Sequence, residues 1–315
     1  MIPFVDVPLP GEQEAIQAIV EATLEKQRKT HKPGDTARRD VHTKSHGTVA
    51  GKFRVYDKLP ASCKVGLFAE PATYDAQLRF SNGAGGTTGA DALPNIRGAA
   101  IKLSGVSGTK ALVGEEDSTE HDFLLANDRG FFVKDIEDML LLAQGKMKVL
   151  ARRRPSVLWN LLGATMKLVK NPLHTAYFSQ VPYQFGEAAC HWALLPVQQD
   201  SFFSLPNFFD RDFLRHAVER TLRKGDSKFI FAVQFQREGE SISDSTRVWK
   251  GRFIPLAELT ISQTTKPVLE SDGEALSFNP FRALVAHKPL GWPGRTREAV
   301  YVADFNWRTE TNRAG

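Results

Sequence analysis

A chain of 315 residues, 42% hydrophobic and 24% charged, can bury one large core and is too apolar for a disordered tract. Its two cysteines, Cys63 and Cys190, lie far apart and outside any CxxC pairing, which excludes a disulfide framework and a cysteine-held metal and fits a reducing cytoplasm. The net charge of +5, from 41 basic and 36 acidic residues, is too small an excess to argue for nucleic acid, and neither a secretory leader nor an apolar membrane span is legible, so a cytoplasmic protein is expected.

Residues 11–29 set Ile16, Ile19, Val20 and Leu24 on one helical face, with glutamates early and basic residues late as the helix dipole favours. An N-terminal amphipathic helix is predicted. From 48 to 135 the pattern shortens to the runs VAGKFRVYD, AQLRFSN, RGAAIKLSG and HDFLLAND, parted by Pro, Gly and Asn clusters. These predict strands of a largely antiparallel sheet or barrel. Helical periodicity returns over 135–171, where Lys146, Lys148, Arg152, Arg153 and Arg154 stand beside Leu158, Trp159, Leu161, Leu162 and Met166. A helical hairpin broken near Pro155 is expected, read either as a packed pair with a solvated basic face or, over 146–170, as a peripheral contact for an anionic bilayer. The strand-like segments QFGEAACHWALLPV, KFIFAVQFQRE and VWKGRFIPLAELTI follow, interrupted by a helix over 207–223, and the chain ends with RTREAVYVADFNWR. No linker or repeat divides these blocks, so 1–315 reads as one α+β domain around a strand barrel.

Three segments carry candidate chemistry. His42 lies in TARRDVHTKSHG, after Arg38 and Arg39 and four residues before His46. Alone it reads as well as a surface histidine, and no HExxH, third histidine or cysteine pair completes a zinc shell. Arg79-Phe80-Ser81-Asn82-Gly83-Ala84-Gly85-Gly86 runs a strand into a glycine-rich turn. It lacks the Lys-Ser/Thr of a P-loop, and a strand rather than a helix follows, which leaves a hairpin connection as the plain reading. In Arg297-Glu298-Ala299-Val300-Tyr301 a helix would place the guanidinium and the phenol one turn apart. A nearby cation lowers a phenol's pKa, ordinarily near 10, by roughly one to three units, although RxxxY also arises by chance.

Together and in this order, these segments resemble the haem-binding core of the catalase superfamily. Arg39-Asp40-Val41-His42 is similar to the motif carrying the distal histidine, and Arg79-Phe80-Ser81 with Gly83-Ala84-Gly85 to the next. Ile96-Arg97-Gly98-Ala99-Ala100-Ile101-Lys102 resembles the strand after it, NPLHTAYFSQVPYQFGEAA the segment after the distal helices, and Arg297 to Tyr301 the proximal tyrosinate motif. The likeness spans roughly residues 36–305. It implies an antiparallel β-barrel of about eight strands with flanking helices, and haem b whose iron is held by Tyr301, made anionic by Arg297. It further implies His42 as the distal acid–base, oriented by Ser81, and Arg39, Arg79 and Arg297 on the propionates or the ligand oxygen. Phe123 and Phe131 would line the distal side. Val41 is the residue type of true catalases, where relatives that form allene oxides carry threonine.

Two departures shape the expected activity. Catalases place an asparagine about where this chain reads EEDSTEHDF, and none occurs between Asn95 and Asn127; Ser118 or Thr119 would take its place, with Thr119 counted among the catalytic candidates. This disfavours efficient dismutation of hydrogen peroxide. The chain is also shorter than a full catalase and resembles the minimal catalase-like haem proteins. The first expectation is a haem peroxidase or catalase-like oxidoreductase that cleaves the O–O bond of hydrogen peroxide or organic hydroperoxides and draws on a small-molecule electron donor. The alternatives are a fatty-acid hydroperoxide isomerase, dehydratase or lyase, and a non-enzymatic haem carrier. A homodimer is the resemblance's implication for assembly.

Overall fold

The computed structural model describes residues 2–32, 34–83, 89–199, 208–266, 268 and 276–314. After helix α1 (Glu12–Thr30), four strands follow in antiparallel succession: β1 (Ser45–Val55), β2 (Thr73–Asn82), β3 (Arg97–Ser104) and β4 (Glu120–Ala126). Three short helices, α2 (Ile136–Ala143), α3 (Met147–Arg153) and α4 (Ser156–Thr165), precede β5 (Tyr177–Phe178), β6 (Tyr183–Phe185) and β7 (Ala188–Pro196). Helix α5 (Phe213–Leu222), β8 (Ser227–Phe235), β9 (Ile254–Ile261) and α6 (Gly291–Ala314) complete the chain. Strands β1-β2-β3-β4-β5-β7-β8-β9 are hydrogen-bonded in that order and β9 returns to β1, so eight antiparallel strands close a barrel, with β6 paired outside the ring to β7. The expected α+β barrel with flanking helices is what the chain builds.

The period-two alternation that marks the strands also fills the barrel. Val49, Phe53 and Val55 of β1 point inward while Ala50, Lys52 and Arg54 face out. Inside, Phe53 meets Phe231 with ring centroids 5.2 Å apart, and Phe123 meets Phe231 at 4.6 Å and Trp192 at 5.5 Å. An eight-stranded barrel is just wide enough for such side chains, so the interior is solid and any larger ligand must lie outside the wall.

That outer space is roofed by helices. Ile16 and Ile19 of α1, Ile136 of α2, Leu150 of α3, Val157 of α4 and Trp292 of α6 form a second core. Helix α6 is tied to the N-terminal segment: Arg295 pairs with Asp6 at 2.7 Å and with Glu12, and Asn312 brackets Ala37, accepting its N–H at 2.7 Å and donating to its carbonyl at 3.1 Å. The two ends of the sequence are thereby held side by side. The expected hairpin over 135–171 is instead three helices, because Gly145, in the left-handed region at φ 69°, ends the first turn of chain after α2 and Pro155 occupies the N-cap of α4. The helix expected over 207–223 is the shorter α5, and VWKGRF is irregular chain ahead of β9. No helix among the described residues is long and apolar enough to cross a membrane.

Candidate active site

A cavity of about 360 Å³ lies between the outer face of β2–β4 and α6, within the size range of small-molecule and cofactor sites. Two rungs of the ladder set its wall. Ser81 stands opposite Gly98, which stands opposite Ala126; Arg79 stands opposite Ala100, which stands opposite Leu124. All six line the cavity. Glycine and alanine at the central positions leave a low, flat strip of sheet between the bulkier residues. Arg297, Val300, Tyr301, Asp304, Phe305 and Arg308 line the cavity from one face of α6 at three-and-four spacing, with Val302 and Asn306 at its edge.

His42 enters from the segment ahead of β1. Its φ of 59° is unusual for a residue with a Cβ, and its backbone is pinned: the N–H donates to the Gly83 carbonyl at 3.0 Å, and its own carbonyl accepts from Arg79 Nη2 at 2.9 Å. The ring is hydrogen-bonded through Nδ1 to Ser81 Oγ at 3.0 Å. It rests so closely on Gly98 that a Cβ there would meet Nδ1 and Cε1 at 2.6 Å. Burial, then the charges of Arg79, Arg297 and Arg39, push the imidazole pKa down to about 3. His42 is therefore a neutral base over the physiological range. His46, four residues on, turns away and bonds Asn82 Oδ1 at 2.8 Å.

On α6, Arg297 and Tyr301 share the cavity face, one helical turn apart. Burial raises the phenol pKa; Arg297 and Arg39 act downward against it, and Asp304 adds to the rise. The guanidinium thus lightens the cost of an anionic Tyr301 without by itself ionising it. Arg297 Nη1 is buried with no hydrogen-bond partner among the described residues, an atom whose desolvation calls for an acceptor. Asp304 accepts from Gln27 and, at 3.0 Å, from Arg308 Nε.

Of the residues singled out in the sequence, Arg39, Val41, His42, Arg79, Ser81, Arg297 and Tyr301 all line this cavity; Thr119, Phe123 and Phe131 do not. Thr119 is exposed, and its carbonyl accepts from the Val106 N–H at 2.8 Å. Phe123 points into the barrel core, one position out of phase with Leu124, which faces the cavity. Phe131 packs with Phe132 against the helical core, their centroids 4.6 Å apart. Ala84, Gly85 and Gly86 of the glycine-rich turn lie outside the described residues.

Sequence reasoning missed other lining residues. Asn279 and Arg282 come from the stretch between VWKGRFIPLAELTI and RTREAVYVADFNWR, where no candidate was singled out. Arg282 joins Asp122 at 2.8 Å and Glu115, while Asp122 also pairs with Lys102 at 3.0 Å. Burial raises the Asp122 pKa to about 6, against Lys102 and Arg282. Gln180 also lines the cavity, donating to the Gly130 carbonyl at 3.1 Å. Among the described residues, it and His42 are the two non-glycine residues with positive φ, a form of strain that gathers at functional sites. No local pattern in YFSQVPYQF marks it.

Comparisons with known proteins follow the same lines. A catalase family model matches residues 17–134. The chain is 26% identical over 262 residues, 77% of its length and 80% of the relative's, to a catalase-related peroxidase of Mycolicibacterium paratuberculosis. Among solved structures, a bacterial catalase aligns with a TM-score of 0.64 at 16% identity, covering 90% of this chain and 59% of that one. Catalase A of Saccharomyces cerevisiae aligns at 0.61 and 15% identity, covering 99% and 67%. A fungal catalase gives 0.62 and 15%, covering 92% and 61%; the chain thus spans about three-fifths of the length of the bacterial and fungal catalases. The catalase family model over residues 17–134 and the 26% identity to a catalase-related peroxidase support a catalase-superfamily protein, and the closed eight-stranded antiparallel barrel matches the catalase fold.

Proposed function

We propose that this protein is a haem-dependent peroxidase of catalase type, cleaving the O–O bond of hydrogen peroxide or an organic hydroperoxide and oxidising a small-molecule donor. The observation that carries the reading is that His42 and Tyr301, from opposite ends of the chain, line one cavity backed by the strip of Gly98, Ala100 and Ala126. The residues suit the group. Small side chains offer a planar ring a surface to lie on, Tyr301 offers a phenolate oxygen as ligand, and the unpartnered Nη1 of Arg297 stands ready for an anionic acceptor. Arg39 and Arg79 add guanidinium geometry suited to carboxylate edges. When bound, haem supplies Lewis-acid and redox chemistry, and a tyrosinate ligand adds electron density at the metal.

The chain's own part is proton management. A neutral His42 takes the hydroperoxide proton on Nε2, the nitrogen left by the Ser81 bond at Nδ1, and returns it to the departing oxygen. Ser81 and the pinned backbone hold the ring in place for both transfers, which confers the advantage of orientation. Arg297 offsets the burial penalty of the Tyr301 anion. Val300, Phe305 and Leu124 give the lining apolar surface that disfavours water beside the reacting atoms.

A second reading, rearrangement of a fatty-acid hydroperoxide, is favoured by Leu112, Val113 and Phe278, which give part of the lining an apolar character suited to an acyl chain. Product analysis separates the two: oxidised donor plus alcohol or water supports peroxidation, an allene oxide, ketol or aldehyde the rearrangement. The test of the main reading uses purified holo-protein. Wild type should show a ferric-tyrosinate spectrum that Tyr301→Phe abolishes. His42→Ala should keep that spectrum and lose about 10²–10⁴-fold in peroxide cleavage. Haem bound without any peroxide turnover would instead indicate a carrier and refute the proposal.

A further inference from the structure

We infer that the helical layer carries a docking surface for an anionic lipid bilayer, centred on Trp159. From residue 139 to 186 the sequence contains no Asp or Glu, yet it holds Lys146, Lys148, Arg152, Arg153, Arg154, Lys167 and Lys170. Some of this charge is structural. Arg153 and Arg154 pair with Asp135 and Asp138 and fasten α3 to α2, and Lys167 pairs with Asp128 at 3.0 Å. Lys146, Lys148 and Arg152 are exposed and make no ion pair among the described residues.

Beside these cations lies an uncovered apolar row. Helix α4 buries Val157 and Ala164 against the protein and turns Leu158, Trp159 and Leu162 outward, with Met166 continuing the same stripe beyond its end. Trp159 is 74% exposed and Met166 60%, and Val149 of α3 and Leu168 are exposed as well. Scattered apolar residues on a surface are ordinary, but a contiguous stripe at helical spacing marks something to be covered.

The charges choose the occupant. A second copy docking this patch on itself about a two-fold axis would bring Lys146, Lys148 and Arg152 against their own equivalents, while the acids beside them, Asp135, Glu137 and Asp138, are already paired with Arg153 and Arg154. An anionic bilayer meets both halves of the surface. Its phosphates take the basic residues, its headgroup boundary takes the tryptophan, and the leucines and methionine enter the first several ångströms of acyl chain. This is contact from one side, since no described helix is long and apolar enough to span. The inference stands apart from the peroxidase reading, and its readout needs neither haem nor turnover.

The experiment is flotation of the full chain with vesicles of phosphatidylcholine alone and of phosphatidylcholine mixed with phosphatidylglycerol. Binding is expected to the mixed vesicles, to weaken as salt is raised, and to move tryptophan emission to the blue in a way that Trp159→Phe removes. The triple variant Lys146→Glu, Lys148→Glu, Arg152→Glu should partition at least tenfold less, as should Leu162→Ser with Met166→Ser, while both melt as wild type does. Absence of binding to the mixed vesicles, or equal binding by the triple variant, overturns the inference. So does sedimentation showing a lipid-free dimer that the serine pair dissociates.

Discussion

A single methyl at Gly98 tests whether His42 is held where the chemistry needs it. In Gly98→Ala the new Cβ would sit 2.6 Å from both Nδ1 and Cε1 of His42 and 3.0 Å from Ser81 Oγ. Carbon contacts relax at roughly 3.5 Å, so the ring must withdraw by about 1 Å. It cannot do so by a backbone shift, because the His42 N–H and carbonyl are tied to Gly83 and Arg79. It must rotate, and the Ser81 bond is lost. Overpacking of this kind costs about 1–3 kcal/mol of stability, and a misplacement near 1 Å is worth about 100-fold in rate. Tyr301 lies on α6 and is not among the atoms nearest the new Cβ, so the tyrosinate spectrum should survive. The assay is kcat/KM for peroxide on haem-loaded protein, beside Ser81→Ala and the double variant. The double variant should be scarcely slower than Gly98→Ala alone, since both substitutions act through the same ring. A Gly98→Ala enzyme with wild-type kcat/KM would refute the reasoning.

Two predictions concern stability. His46, His191 and His287 are buried and neutral, with pKa values pushed by burial down to about 4, 3 and 4. Each titrates near 6.5 when unfolded, so below that pH the unfolded chain binds the extra protons, and stability that is complete above pH 6.5 falls as the pH drops toward 4. At pH 5 each costs about 2 kcal/mol, and three together consume much of a typical folding free energy. Asp122, raised to about 6, acts in the opposite sense: its contribution favours the fold at low pH and is lost as the pH rises through about 6. Thermal melts between pH 7.5 and 4.5 should show Tm falling most steeply below 6; a flat profile would mean that the folded protein protonates these rings. Separately, Arg282→Met removes one of the two cations that neutralise the buried Asp122. Denaturant unfolding should register a loss of about 3–5 kcal/mol, partly recovered by adding Asp122→Leu; a neutral single variant would show that Lys102 suffices.

Strands β1 to β4 were legible because each alternates or runs apolar between strong turn signals, whereas the helical form of α6 stood only as a condition on the Arg297–Tyr301 spacing. The piece that closes the barrel was not. Strand β5 is Tyr177–Phe178, paired to β4 through Ala126 and Phe178 alone, and two residues hold no period. Nor does a sequence weigh desolvation: the arginine near Tyr301 could be counted from spacing, but the burial that outweighs it appears only when α6 meets the sheet.

Strand β4 shows why the outer wall of the site was harder to read than its motifs. In Phe123-Leu124-Leu125-Ala126 every residue is buried, because the barrel core covers one face and the cavity wall the other. A strand covered on both faces loses the alternation that labels inside and outside, so assigning Phe123 to the cavity was a choice between two phases. The neighbouring strand resolves it. Ala99 and Ile101 belong to the barrel core, so Gly98 and Ala100 must face out, and Leu124 and Ala126 are their ladder partners. Phe123 is then committed to a full interior, where its ring wedges between Phe231 and Trp192. The flat strip exists because Ala99, Ile101 and Phe123 face the barrel core, which leaves Gly98, Ala100 and Ala126 between Arg79 and Leu124 on the cavity wall.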